Sequence, residues 1–208
     1  MTKKYLLLWV GFLPLKLLAQ GETDSASTKE WNFSAWAEMF IIPHEEDVFN
    51  PTFYARHKTL HLEARYNYED KNTASLWAGY RFKFGSGVKF VIVPMAAIVF
   101  GNTNGVAPGL EIEMTYKKFD LYSESEHVFD FSSNENNFFY MYSEVAIRPI
   151  HALRTGIMTQ RTKLFESARE VQHGIFAEYY FGRFRAGVFY FSPFSSDNYW
   201  IASFSVDF

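Results

Sequence analysis

Residues 199–208, the last ten of the chain, read YWIASFSVDF. Side chains along a β-strand point alternately to its two faces. In this segment one face is entirely apolar and the other is largely polar. The apolar face consists of Trp200, Ala202, Phe204, Val206 and Phe208. The segment therefore predicts an amphipathic strand, and the chain ends on an aromatic residue.

Similar alternation recurs from Trp31 onward, with almost no helical period. Thr52–Tyr68 is divided at residues 56–58 because a single strand of that length would exceed the 9–11 residues of a tilted membrane-spanning strand. About twelve strands result, or ten if the first segments are irregular. They are Trp31–Ile42, Pro51–Ala55, Leu60–Tyr68, Ala74–Phe84, Val88–Phe100, Gly109–Tyr116, Phe119–Asp130, Phe138–Arg148, Ala152–Lys163, Val171–Phe181, Arg183–Phe191 and Tyr199–Phe208.

The connections between these segments alternate in length. Tight turns are predicted at residues 84–87, 117–118, 148–151 and 181–183, and longer polar connections at 101–107, 131–137, 165–170 and 193–198. Bacterial barrels have short periplasmic turns and longer outer loops. This assignment, with twelve strands, predicts that both ends of the barrel chain lie in the periplasm.

The amino-terminal residues predict a secretory signal peptide at 1–21. Lys3 and Lys4 precede an apolar run at 5–18 that is interrupted only by Lys16. The small residues of Ala19-Gln20-Gly21 follow, as expected next to a signal-peptide cleavage site. The run is shorter than the roughly 20 apolar residues that a transmembrane helix needs. Residues 22–29 form a polar lead-in, and residues 30–208 are assigned to the barrel. The chain has no cysteine, so neither a lipidated cysteine nor a disulfide is possible.

The signal peptide, the many amphipathic strands and the final phenylalanine together resemble the bacterial outer-membrane β-barrel proteins. The resemblance implies an all-β fold, a closed antiparallel transmembrane barrel in the outer membrane. In that family the final phenylalanine is read by the barrel-assembly machinery, which makes Phe208 a candidate assembly signal. The implied partners are outer-membrane lipid, periplasmic chaperones and the assembly machinery.

Composition agrees with this interpretation. Aromatic residues make up 20% of the chain, which suits a barrel whose outer surface and interfacial girdles are aromatic. The formal net charge is −3, so no basic surface for nucleic acid is expected. No mature segment reaches 18 uninterrupted apolar residues, which argues against a helical membrane protein. No cofactor is expected.

Alternation also predicts which charged side chains face the barrel interior. A lipid-facing Arg or Lys near the bilayer midplane costs about 2–4 kcal/mol, so charged residues are assigned inward. The assigned set is Glu38, His61, Glu63, Arg65, Arg81, Glu111, Glu113, Glu124, Glu126, Glu144, Arg148, Arg154 and Glu178. These residues predict either a Glu–Arg network that fills a narrow barrel or a hydrated channel. Since carboxylates outnumber bases, a channel should prefer cations.

The segment Val88–Phe100 departs from the pattern, because it is apolar on both faces apart from Lys89. Pro94 cannot donate a ladder hydrogen bond, so a bulge is expected there. Its apolar inner face predicts either packing against another interior group or a strip for a hydrophobic ligand.

Sequence motifs for catalysis are weak. Ser123, Ser125 and His127 alternate together toward the lipid side, where a lipid hydrolase would act. The acidic run at residues 44–47 could bind a divalent cation, although such runs are usually solvated, and no metal site is assigned. The favoured function is therefore a small non-enzymatic barrel, either a narrow channel or a structural membrane protein. The alternative is a lipid-modifying barrel enzyme of the phospholipase or deacylase type.

Overall fold

The computed structural model describes residues 31–162 and 170–208. The predicted signal peptide, the whole polar lead-in at 22–29 and nearly all of the predicted 165–170 loop lie outside the described residues. Within the described ranges no helix is long and apolar enough to cross a membrane. The strands are β1 (Asn32–Ile41), β2 (Val48–His57), β3 (Leu60–Tyr66), β4 (Thr73–Tyr80), β5 (Phe82–Phe84), β6 (Lys89–Gly101), β7 (Gly105–Tyr116), β8 (Phe119–Asp130), β9 (Phe138–Ile150), β10 (Leu153–Thr162), β11 (Glu170–Phe181), β12 (Phe184–Phe191) and β13 (Tyr199–Asp207), with a 3₁₀ turn at Asn134–Asn136.

The strands form one closed antiparallel barrel. Each strand pairs with its sequence neighbours, except that β4 and β5 do not pair with each other, and β1 pairs with β13 to close the sheet. Only Arg81 separates β4 from β5, and both pair with β6. Because β4 and β5 together make one barrel strand, the barrel has twelve, which confirms the predicted fold class. The second predicted strand is longer than expected, since β2 covers Val48–His57.

Short and long connections lie at opposite ends of the barrel. The short-turn end contains residues 58–59, 85–88, 117–118, 151–152 and 182–183, and the long-loop end contains 42–47, 67–72, 102–104, 131–137 and 192–198. The 102–104 connection is shorter than predicted because β7 begins at Gly105. Lys58, Lys117 and Gly182 open two-residue turns with φ between 54° and 64°, the left-handed geometry that suits tight hairpins. The amino-terminal end of β1 and the carboxy-terminal end of β13 both lie at the short-turn end.

Two aromatic girdles and an aliphatic band cover the outer surface. Near the short-turn end the exposed rings include Phe33, Phe84, Tyr116, Phe119 and Phe181; near the long-loop end they include Phe49, Phe100, Phe129, Phe139 and Trp200. Aliphatic side chains such as Leu76, Val145 and Ile157 are exposed between the girdles. This arrangement is that of a transmembrane barrel, because an aqueous exterior would make so much exposed apolar area unfavourable.

The interior face of β6 is covered by a tryptophan. Trp77 from β4 is 2% exposed and packs with Met95, Ala97, Val99, Ala107 and Val128, with Phe138 beside them. Its indole lies so close to β7 that a Cβ on Gly109 would come 2.7 Å from the ring. Internal packing therefore accounts for the apolar inner face of β6.

The prediction of a β-bulge at Pro94 is wrong. Register is continuous from Gly79 opposite Met95 to Phe82 opposite Ile92, and it is also continuous between β6 and β7. Pro94, which has no N–H to donate, instead lies opposite the break between β4 and β5. There the Arg81 N–H donates to Thr59 O at 2.7 Å, toward the β3 side.

A second apolar cluster fills part of the interior near β9–β13. Phe176, Phe189 and Phe191 are at most 3% exposed and pack with Ile201 and Tyr199. Phe176 stacks on Phe189 with ring centroids 5.4 Å apart. The two clusters leave a polar region between them, and that region contains the candidate site.

Candidate functional site

The first polar group of the interior comes from β3. His61, Glu63 and Arg65 occupy alternate positions, so they share the inner face, and each is at most 4% exposed. The His61 Nε2 atom is hydrogen-bonded to Glu63 Oε1, and Arg56 Nε donates to His61 Nδ1 at 3.3 Å. The histidine is therefore fully partnered by its own strand and by β2.

Arg65 is the centre of this group. Its Nε donates to Glu63 Oε2 at 2.6 Å, and its Nη1 donates to Glu124 Oε1 at 2.7 Å and to Glu126 Oε2 at 3.2 Å. The guanidinium carbon lies 4.7 Å from the centroid of the Trp77 ring. Since Glu124 and Glu126 are on β8, Arg65 joins β3 to a strand that is not its neighbour in the sheet.

Continued alternation from Leu60 predicts Tyr68 on the lipid side, but Tyr68 faces the interior. Asn67 has φ of 59°, so the strand ends at Tyr66 and the period of two does not continue. The Tyr68 hydroxyl donates to Glu124 Oε2 at 3.0 Å, and its ring meets Tyr140 edge-on at 5.7 Å. The same alternation predicts Asn67 inside, but its side chain donates to Phe49 O at the long-loop end.

Arg65 and Tyr68 divide the interior. Their contacts to β8 and β9 cross the barrel, because β4/β5, β6 and β7 lie between β3 and β8 in the sheet. The Trp77 cluster fills the smaller side of this division. The larger side, bounded by β9–β13, β1 and β2, holds the cavity described below.

Arg154 is the centre of a second charged group. Its Nε donates to Asp120 Oδ1 at 2.7 Å, and its Nη1 lies 2.6 Å from Glu144 Oε2 and 2.7 Å from Glu178 Oε2. Arg148 Nε donates to the other oxygen of Asp120 at 3.2 Å. Arg185 Nη1 lies 3.5 Å from Glu178 Oε1, so the three carboxylates of this group share cations from three strands.

The remaining sequence-assigned residues lie outside the two arginine-centred groups. Arg81 lies 3.9 Å from Glu113 near the short-turn end. Glu111 is buried, with its Oε1 3.2 Å from the Tyr122 hydroxyl. Glu38 is on the inner face of β1 and has no ion pair with any described lysine or arginine.

The interior charges missed from the sequence include Asp120, Arg185 and Arg56. Arg185 Nε donates to Ser205 Oγ at 3.1 Å, and its guanidinium carbon lies 4.0 Å from the Trp36 ring centroid. Asp120 shares the inner face of β8 with Tyr122 and Glu124, so strict alternation could have found it. Arg185 was obscured because the rest of its strand face is mostly apolar.

A continuous cavity of about 790 Å³ runs through the interior. Ser34, Thr115 and Asp207 line it near the short-turn end, and His44 and Lys71 line it near the long-loop end. Among the described residues ten Asp or Glu side chains line the cavity, against five Lys or Arg. Nine aromatic side chains also line it, so the wall is acidic and aromatic together.

His61, Glu63 and Glu111 have ligand atoms within 4.8 Å of one another. The hydrogen bond from Arg56 makes His61 Nδ1 the acceptor, which places the imidazole proton on Nε2, toward Glu63. A metal on Nε2 would need the opposite tautomer. This cluster therefore fits a hydrogen-bonded network better than a metal site.

The catalytic alternative receives no support from the geometry. Ser123 Oγ is hydrogen-bonded to Ser143 Oγ at 2.8 Å, and His127 packs against Phe129 and Phe139. Within the described ranges no hydrogen bond joins His127 to Ser123 or Ser125. A serine nucleophile requires an adjacent base, and none is provided here.

Solved structures similar to this barrel include porins. A KdgM porin aligns with a TM-score of 0.62 at 14% identity, over 85% of this chain and 99% of that chain. A KdgM porin in complex with disordered oligogalacturonate gives 0.57 at 14% identity with the same coverage. A protein from work on in-meso crystallization of membrane proteins gives 0.55 at 16% identity, over 84% of this chain and 83% of that chain.

No protein-family model matches the sequence, and no curated protein sequence matches it. At the identities above the likeness concerns the fold, so the chain has the fold of small outer-membrane porins. The aromatic girdles and aliphatic band of the outer surface agree with a barrel in the bacterial outer membrane.

Proposed function

We propose that this protein is a narrow, non-enzymatic outer-membrane channel for small solutes, with a preference for cations. The observation that carries the proposal is the continuous cavity lined by residues from both ends of the barrel. The two arginine-centred networks hold the interior charges in fixed positions. They narrow the passage, and the space between them stays open.

The acidic lining supports the cation preference. Carboxylates that exceed the neighbouring bases raise the local concentration of cations in a confined pore. Glu38 contributes most clearly, because it lines the cavity without a cationic partner among the described residues. The KdgM porin described above is complexed with oligogalacturonate, which is a polyanion. Twice as many carboxylates as bases line the cavity here, so a polyanionic cargo is disfavoured for this protein.

A structural membrane protein is the second candidate. Arg65 and Arg154 each bind three carboxylates, and such networks stiffen a narrow barrel whether or not solutes pass. The two candidates differ in conductance, which a planar bilayer measures directly.

Glu38→Gln should shift the reversal potential in a potassium chloride gradient toward zero, with cation preference reduced. The substitution removes from the cavity wall a carboxyl group that has no cationic partner among the described residues, and it leaves both networks intact. Glu135→Gln is the matched control, because Glu135 is an exposed residue of the 131–137 loop that does not line the cavity. Absence of conductance from well-folded wild-type barrel would favour the structural role, and anion selectivity would contradict the charge argument.

We further propose that residues 1–21 are a cleaved signal peptide and that Phe208 is an assembly signal. The Phe208 N–H donates to Phe33 O at 2.9 Å, while its ring is 72% exposed. Because the Phe208 ring is so exposed, it packs little against the finished barrel. The ring is therefore accessible to the assembly machinery and to chaperones.

Deletion of Phe208 should slow barrel assembly strongly and change the stability of the folded barrel little. Pulse-chase appearance of the heat-modifiable form measures assembly, and urea titration of refolded protein measures stability. A Phe194→Ala variant serves as control, because Phe194 is a fully exposed aromatic in the 192–198 loop. Normal assembly kinetics in the deletion would refute the assembly role.

A further inference from the structure

The cavity wall contains a carboxyl group without a cationic partner among the described residues. Glu38 projects from β1 into the cavity that Glu124 and Glu144 also line. Each of those two glutamates has an arginine partner, whereas Glu38 has none among the described residues. A cationic solute in the cavity would supply the missing charge.

The carboxylates opposite Glu38 are already occupied. Glu124 Oε1 accepts from Arg65, and its Oε2 lies 3.0 Å from the Tyr68 hydroxyl and 2.9 Å from that of Tyr122. Glu144 is bound by Arg154 through Oε2 and by the Tyr142 hydroxyl through Oε1 at 2.6 Å. A hard metal ion requires six or more oxygen ligands, and these groups have few free oxygens to offer.

Aromatic rings make up the rest of this wall. Tyr122, Tyr140 and Tyr142 line the cavity, and the rings of Tyr122 and Tyr142 lie 6.4 Å apart. Their hydroxyl contacts to Glu124 and Glu144 fix the orientation of Tyr122 and Tyr142. Aromatic faces near a carboxylate stabilise organic ammonium ions, which are weakly hydrated and need no directional ligands.

We infer that the mid-cavity between Glu38 and the tyrosines Tyr140 and Tyr142 binds organic ammonium cations. The inference deepens the proposed channel function by naming its solute class, and it rests on that function only for transport. Binding itself requires the carboxylate of Glu38, the faces of the tyrosine rings and enough space for the cation. The cavity volume of about 790 Å³ exceeds the volume of an ammonium head group several-fold.

Equilibrium dialysis of the detergent-folded barrel with choline tests the site. Choline should bind, while 3,3-dimethylbutan-1-ol, which has the same shape without the charge, should not. Glu38→Gln and Tyr140→Leu should each weaken choline binding by about tenfold, since each removes one of the two recognising features. Glu135→Gln, at an exposed position of the 131–137 loop that does not line the cavity, should leave the affinity unchanged. Heat-modifiable gel migration verifies that each variant is folded.

Two results would overturn the inference. Equal binding of the neutral alcohol would show that the cavity recognises shape alone, and displacement of choline by equimolar potassium would show a site for inorganic cations only. Choline binding by a barrel that conducts no ions would leave the site standing and refute the channel. A cation-selective conductance without choline binding would refute this site and leave the channel standing.

Discussion

Arg65→Met should destabilise the barrel more than any other single substitution of an interior charge, by about 3–5 kcal/mol. Arg65 is 3% exposed and neutralises Glu63, Glu124 and Glu126 at distances of 2.5 to 3.2 Å. Without the guanidinium these buried carboxylates repel one another in a region that little water reaches. Urea titration of barrels folded in lipid vesicles, followed by tryptophan fluorescence, gives the free energy of unfolding.

The matched control is Arg148→Met. The Arg148 side chain is 37% exposed, and its partner Asp120 retains Arg154 after the substitution. A loss below about 1 kcal/mol is expected for so exposed a pair. Adding Glu124→Gln and Glu126→Gln to Arg65→Met should restore part of the lost stability. If Arg65→Met costs no more than Arg148→Met, the Arg65 group does not hold β3 to β8.

Ile157→Arg should cost about 2–4 kcal/mol, because it places a charge on the lipid face near the middle of β10. Ile150→Arg is the control, with a cost of about 0–1 kcal/mol, since Ile150 lies at the end of β9 beside a tight turn. The two isoleucines are similarly exposed, at 62% and 59%, so depth in the bilayer is the main difference. The same vesicle titration measures both.

Equal costs at the two positions would contradict the membrane depth assigned to the strands. A lower cost at residue 157 than at residue 150 would contradict the assignment more strongly. Leu62→Arg is expected to be similarly costly, since Leu62 lies on the outer side of β3. Asn67→Arg would not serve as a control that places arginine inside the barrel, because the Asn67 side chain donates to Phe49 O and not to an interior group.

Alternation along each strand was sufficient to delimit the barrel. The period of two assigns the apolar residues of 199–208 to one face, and Trp200 and Phe204 are indeed exposed while Ile201 and Ser203 are buried. Turn lengths set the order of short and long connections, because tight hairpins need few residues and particular backbone angles. These features are local, so the sequence alone contains them.

The partners of the interior charges depend on the tertiary structure. Alternation puts Arg65 on the inner face of β3, but its contact with Glu124 joins residues 59 positions apart and requires the closed barrel. The position of Tyr68 depends on one left-handed residue, Asn67, at which the strand period stops. Cavity shape, the unpaired state of Glu38 and the filling of one side by Trp77 likewise follow from closure. The sequence by itself determined the strands and their faces because those are set by neighbouring residues, and only the folded barrel decided which charges meet because that depends on distances across its interior.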